Sequence, residues 1–183
     1  MRLSTVLALV CLVALGLWSQ HVLDRPREGD RMRNGIAQVI DGDSLRLNGE
    51  ELRLKGIDAP EYAQTCRRGT AAIACGKEAA AALRRIVARA PLTCVGHERD
   101  RYGRLLATCR SLGADVAAMM VRSGMAVAFG DYLVEEAEAR NAMAGLWAGD
   151  FETPSEWRER NRRDPLQPPS QPPASVPLPP RRP

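Results

Sequence analysis

Four short segments bring carboxylates and arginines together: Ile40-Asp-Gly-Asp-Ser44, Leu52-Arg-Leu54, Ile57-Asp-Ala-Pro-Glu61 and Asp100-Arg-Tyr-Gly-Arg104. Each alone has an ordinary explanation. Asp41-Gly42 is a hairpin-turn dipeptide, Asp58 beside Pro60 is common turn chemistry, and Asp100-Arg-Tyr-Gly suits a hairpin connection. Arg53 alternates with Leu52 and Leu54, which by strand parity alone would leave it in solvent. Together the segments supply what cleavage of a phosphodiester requires. Asp43 shares the parity of Leu45 and Leu47 and should face inward, where an unpaired carboxylate is costly without a cation or an arginine. Asp58 ends a following strand and could meet Asp43 at one sheet edge. Two oxygen donors with positions left for water and phosphate suit Ca²⁺ or Mg²⁺ rather than zinc. Arg53 and Arg104 offer planar forks for phosphoryl oxygens. Glu61 is a free carboxylate that could orient and deprotonate water. His97, a rival base, falls in mid-strand.

The elements that must position these residues can be read from turn chemistry and periodicity. Ile36–Ile40, Ser44–Leu47 and Glu51–Ile57 read as a three-stranded meander, with Asn48-Gly49 as the second tight turn. Residues 76–89 carry a helical apolar spacing closed by Pro91. Two strands, Leu92–His97 and Arg104–Cys109, flank the turn at Asp100–Gly103. A helix follows at Asp115–Gly124, then a short strand over Met125–Phe129 and a helix over Val134–Trp147 with Glu135, Glu136 and Glu138 at its start. This order predicts an α+β fold, a five-stranded OB-type β-barrel with about three flanking helices.

The ordered set D-G-D-S, L-R-L, I-D-A-P-E and D-R-Y-G-R resembles the staphylococcal nuclease (thermonuclease) family, and the resemblance spans about Ile36 to Trp147. Met120-Val-Arg-Ser-Gly-Met-Ala126 and Gly145-Leu-Trp147 echo later family segments. The resemblance implies hydrolysis of DNA and RNA at the 5′ P–O bond, leaving 3′-phosphate ends. It implies Ca²⁺, in preference to Mg²⁺, held by Asp43, Asp58 and the backbone of Ala59, with Glu61 as general base and Arg53 and Arg104 on the phosphate. Tyr102, with Arg101 beside it, would touch substrate, and Phe129 and Tyr132 would stand where aromatic residues flank the base. Ala59 and Ser44 each replace a threonine of the family pattern. The alternative is a binding module on the same fold, catalytically weak and tethered in the cell envelope. Such modules lose some of these charged positions, and here none is lost.

Both ends depart from globular composition. Residues 1–20 have the form of an export signal, with Arg2 ahead of an uncharged apolar run. They read as a signal peptide or as an anchor acting through residues 3–18, so the chain is expected to be periplasmic or secreted, or held at the inner membrane with its domain outside the cytoplasm. Residues 21–34 read as a polar linker, 35–160 as the domain, and 161–183 as an extended tail holding most of the 13 prolines. With 4% aromatic residues, the core must be aliphatic. The net charge of +4, carried almost wholly by arginine, suits an anionic partner but decides little. In an oxidising compartment the four cysteines beyond Cys11 can pair. The hairpin turn would set Cys94 opposite Cys109, leaving Cys66 to Cys75. A zinc site lacks the C-x-x-C spacing and has only His21 and His97 to help.

Overall fold

Asn48 and Gly49 both adopt positive φ, 51° and 84°, and close strand β3 (Ser44–Leu47) onto β4 (Glu50–Leu54). In this computed structural model, which describes residues 31–163, that hairpin anchors the sheet. The other strands are β1 (Arg31–Gly35), β2 (Ala37–Val39), β5 (Ile57–Asp58), β6 (Cys66–Arg68), β7 (Ala71–Ile73), β8 (Leu92–Gly96), β9 (Leu105–Ser111), β10 (Ala114–Asp115) and β11 (Val127–Ala128). Seven of them form one curled sheet in the order β1-β8-β9-β4-β3-β2, with β10 added on β9. All its pairings are antiparallel except β4 with β9, where Leu52 lies opposite Leu105. Short ladders join β11 to β5 and β6 to β7.

The helices are α1 (Cys75–Val87), α2 (Val116–Arg122), α3 (Leu133–Asn141) and α4 (Pro154–Arg163), with a 3₁₀ turn at Gly145–Ala148. Leu45, Leu47, Leu52, Leu54 and Ile57 from the strands meet Leu83, Ile86 and Val87 of α1 and Val116, Met120 and Val121 of α2 in one aliphatic core. Burial of this apolar surface is the main force holding the sheet curled around its helices. A smaller cluster of Cys66, Cys75, Val127 and Leu146, backed by Ile73, Trp147 and Phe151, ties the C-terminal segment to the β6–β7 hairpin.

The α+β class and the OB-type plan hold, and several boundaries shift. The expected five strands are a seven-stranded sheet plus two small ladders. The linker expected over 21–34 gives way at Arg31 to β1, which pairs with β8 along its whole length. The helix expected over Val134–Trp147 stops at Asn141, and its last residues wind as the 3₁₀ turn. A fourth helix, α4, runs through Arg163, beyond the expected domain end at 160. Disulfides join Cys66 to Cys75 and Cys94 to Cys109, the latter directly opposite one another on β8 and β9. Among the described residues no helix is long and apolar enough to cross a membrane; the expected export segment lies outside them, as does the expected proline-rich tail from residue 164 on.

Candidate active site

Asp43 ends the bend between β2 and β3, and its carbonyl accepts from Leu54 N–H at 2.8 Å, extending the β3–β4 ladder by one bond. The bend is tight because Gly42 has no side chain: a Cβ there would stand 2.6 Å from Ala59 Cβ and 2.9 Å from that of Ala79 on α1. Asp43 is thereby buried, 3% exposed. Its Oδ1 accepts from Ser44 Oγ at 3.0 Å and from Arg53 Nη1 at 2.7 Å, and its Oδ2 accepts from the backbone N–H of Ala59 at 3.0 Å. Asp58 closes β5, opposite Val127 of β11, and is equally buried. Arg53 bridges the two carboxylates, its Nη2 donating to Asp58 Oδ1 at 2.8 Å. Strand parity alone would have sent Arg53 outward, yet its side chain folds over the strand ends and is only 19% exposed.

Three further groups complete the site, Arg104 and Arg158 in the cleft wall and Gln64 supporting it from within. Gln64, fully buried, accepts from the Glu61 backbone N–H at 3.2 Å and donates to the carbonyl of Glu152 at 2.8 Å, which fixes the turn that carries Glu61. Arg104, just ahead of β9, is held by Asp100 through Nε at 2.8 Å and Nη2 at 2.7 Å, and its Nη1 reaches Ser44 Oγ at 3.1 Å. Arg158, on α4, was not singled out by the sequence. Its Nη1 donates to both Asp58 Oδ1 and Glu61 Oε1 at 2.9 Å, and its Nη2 to Asp58 Oδ2 at 2.8 Å. One signal could have found it. Thr153-Pro-Ser-Glu156 is a capping box with proline at the first helical position, and the Thr153 backbone N–H donates to Glu156 Oε2 at 2.8 Å.

The buried Asp58 is hydrogen-bonded to Arg53 and Arg158, which with Asp43, Glu61 and Arg104 line a cleft of about 690 Å³ that also includes Ala59, Arg101, Tyr102, Phe129 and Asp131. Tyr102 stands 70% exposed on its rim, with the guanidiniums of Arg101 and Arg104 4.9 and 5.5 Å from its ring centre. Phe129 is exposed at another part of the wall, its backbone N–H bonded to Gly56 O at 2.8 Å. Tyr132 does not join them. It sits in the left-handed region at φ 64°, packs on the main core and donates its hydroxyl to Asp115 Oδ2 at 3.1 Å, which makes it a brace for α2. Its burial and the Asp115 charge raise its pKa. His97 is not part of the cleft wall either, and its Nε2 lies 3.7 Å from Glu98.

Burial pushes the Asp43 carboxyl up to about 7; the Arg53 charge pulls it down, and the charges of Asp41 and Asp58 push it up. Burial also raises Asp100, but the hydrogen bonds from Arg104 and from the Tyr102 backbone, with the Arg104 charge, together outweigh it and hold that carboxyl below its ordinary range. Among the described residues no three His, Cys, Asp or Glu side chains gather as a metal cage. The donors that do converge are two buried carboxylates bound to guanidinium, an oxygen-only pair already served by positive charge. That chemistry fits a hard divalent cation completed by water, phosphate and backbone oxygen, and does not fit a thiolate or imidazole metal.

A family model described as staphylococcal nuclease homologue matches residues 51–149, more than half of the chain. The chain belongs to the staphylococcal nuclease family. The match to this family takes in Arg53, Asp58, Ala59, Glu61 and Arg104, while Asp43 and Arg158 stand on either side of it. A succinoglycan biosynthesis protein, ExoI, of Rhizobium meliloti (strain 1021) is 42% identical over 62% of this chain and 63% of its own length. A probable staphylococcal-like nuclease, CAN4, of Oryza sativa subsp. japonica is 33% identical over 62% of this chain, which spans only 22% of the rice protein. An uncharacterized endonuclease of Escherichia coli O157:H7 is 31% identical over 68% of this chain and 84% of its own.

Proposed function

We propose that the chain is an exported nuclease that hydrolyses phosphodiester bonds of DNA and RNA with Ca²⁺ as its cofactor. The observation that carries this reading is the convergence of Asp43, Glu61, Arg53 and Arg104 on one cleft, with the buried Asp58 tied to it through Arg53. Asp43 and Asp58, with the backbone at Ala59, are the residues that would hold the cation. When bound, it supplies Lewis-acid polarisation of a phosphoryl oxygen and favours ionisation of water.

The chain's own groups account for the rest. Arg53 and Arg104 bind the non-bridging phosphoryl oxygens, where negative charge grows as water attacks. To do so Arg53 must give up part of its hold on Asp43 and Asp58. Arg104 has less to give up, because Asp100 holds the Nε and Nη2 edge while only a neutral hydroxyl engages Nη1. Glu61 orients the attacking water and takes its proton. Tyr102 and Phe129, both exposed on the cleft wall, offer aromatic surface to the flanking bases. Two disulfides and the apolar segment at residues 1–20 support an oxidising, extracytoplasmic compartment, with that segment either removed or kept as an anchor. The test is incubation of purified, oxidised protein with single-stranded DNA and RNA. Cleavage is expected with Ca²⁺, none after chelation. Folded protein that binds either polymer with Ca²⁺ present and leaves it uncut would instead make this a binding module.

A further inference from the structure

Arg158 reaches the cleft from α4, a polar helix with one buried residue. The chain ahead of α4 is pinned: Arg67 and Asp150 exchange backbone hydrogen bonds at 2.8 and 2.9 Å, and Gln64 holds the Glu152 carbonyl. The disulfide from Cys66, at the start of β6, to Cys75, at the start of α1, backs that anchor covalently. Beyond it the helix is polar. Pro154 is its one buried residue, Trp157 and Arg158 are half-buried, and residues 159–162 are exposed. Burial alone therefore holds α4 weakly, and a short polar helix has little stability of its own. Its guanidinium at Arg158 holds it to the body through Asp58 and Glu61.

Those same oxygens are the ones a divalent cation would need. Asp58 Oδ1 accepts from both Arg53 and Arg158, and Oδ2 from Arg158. A Ca²⁺ ion at about 2.3–2.6 Å from a carboxylate oxygen cannot share Asp58 with two guanidiniums at hydrogen-bond distance without strong repulsion. Arg53 is tied to both carboxylates from within the sheet, whereas Arg158 is the more exposed, at 31%, and sits on the looser element. Of the two, Arg158 is the one that can leave.

Resting on the cation site proposed above, we infer that Arg158 is a positioning residue that exchanges with the cation. Without the ion it neutralises Asp58 and restrains Glu61. Cation binding displaces it from Asp58, which frees Glu61 to turn to water and loosens α4. Linkage makes the effect reciprocal, so whatever strengthens the docking of α4 weakens cation binding by the same factor.

The experiment uses the full oxidised chain without nucleic acid, titrated with Ca²⁺ alone by calorimetry and followed by hydrogen exchange of the α4 amides. In the wild type, saturating Ca²⁺ should speed exchange across residues 155–163 several-fold. Arg158→Ala should bind Ca²⁺ roughly 5- to 100-fold more tightly, with α4 exchanging fast already and no longer responding to the ion. Arg158→Lys keeps the charge but loses the two-pronged hold, and should fall between them. If wild-type protein binds Ca²⁺ while α4 exchange is unchanged or slowed, this proposal fails and the cation site stands. Binding by Arg158→Ala no tighter than wild type also overturns it. If neither Ca²⁺ nor Mg²⁺ binds the wild type, the proposal falls together with the reading it rests on.

Discussion

The two arginines that hold Asp58 come from opposite kinds of structure. Arg53 belongs to β4, whose neighbours Leu52 and Leu54 are buried in the core, and it joins two carboxylates that are themselves buried. Arg158 belongs to a polar helix clasped mainly at its beginning. Both make similar hydrogen bonds to the same carboxylate, yet the cost of breaking them should differ greatly. Removing one partner of a buried ion pair strands a charge in a low-dielectric site, while removing a partner near solvent lets water take its place. The sheet thus supplies the rigid part of the site, and the helix an adjustable one.

Substitution at the sheet arginine should have the largest effect. Arg53→Ala leaves Asp43 without its ion-pair partner and should lower stability by roughly 3–5 kcal/mol. Chemical denaturation measures this, and Arg158→Ala in the same assay should change stability by less than half as much. Equal losses would erase the distinction between the two regions. Phe129→Ala should weaken binding of single-stranded nucleic acid by about 1–3 kcal/mol with the melting temperature unchanged, because the ring is exposed. Tyr132→Phe should do the opposite, costing about 1 kcal/mol of stability through the lost bond to Asp115 with substrate affinity unchanged. Thr153→Ala, which removes the capping hydroxyl of α4, should cost about 1 kcal/mol. That loss should be confined to the helix, visible as faster exchange of α4 amides and not in the sheet.

Much of the sheet-built part was legible because its signals are local. Asn48-Gly49 names its own turn, and the alternation of Leu45, Leu47, Leu52 and Leu54 names a buried face. Asp43 could be assigned inward from that parity. The same parity misled for Arg53, since a long side chain at a strand end can fold back over the edge, which period-two counting cannot express. Strand β1 was missed because Arg31-Met-Arg-Asn looks like linker. It is an edge strand whose outer residues stay exposed, with Arg33 paired to Glu50. The β6–β7 hairpin depends on a disulfide and on pairing with Asp150, distant in sequence. Helix α4 has no apolar stripe, so periodicity is silent there, and its capping box was overshadowed by the prolines that follow. With the helix unread, nothing pointed to Arg158.

Glu61→Gln tests most directly whether these residues form one hydrolytic site. Initial rates on single-stranded DNA, taken across Ca²⁺ concentrations and paired with the Ca²⁺ and DNA affinities of the same samples, separate chemistry from binding. Removing the proton acceptor should lower turnover by about 10²–10⁴-fold with both affinities kept within a few-fold of wild type. Undiminished turnover in Glu61→Gln, or a wild-type rate that persists after chelation, would contradict it.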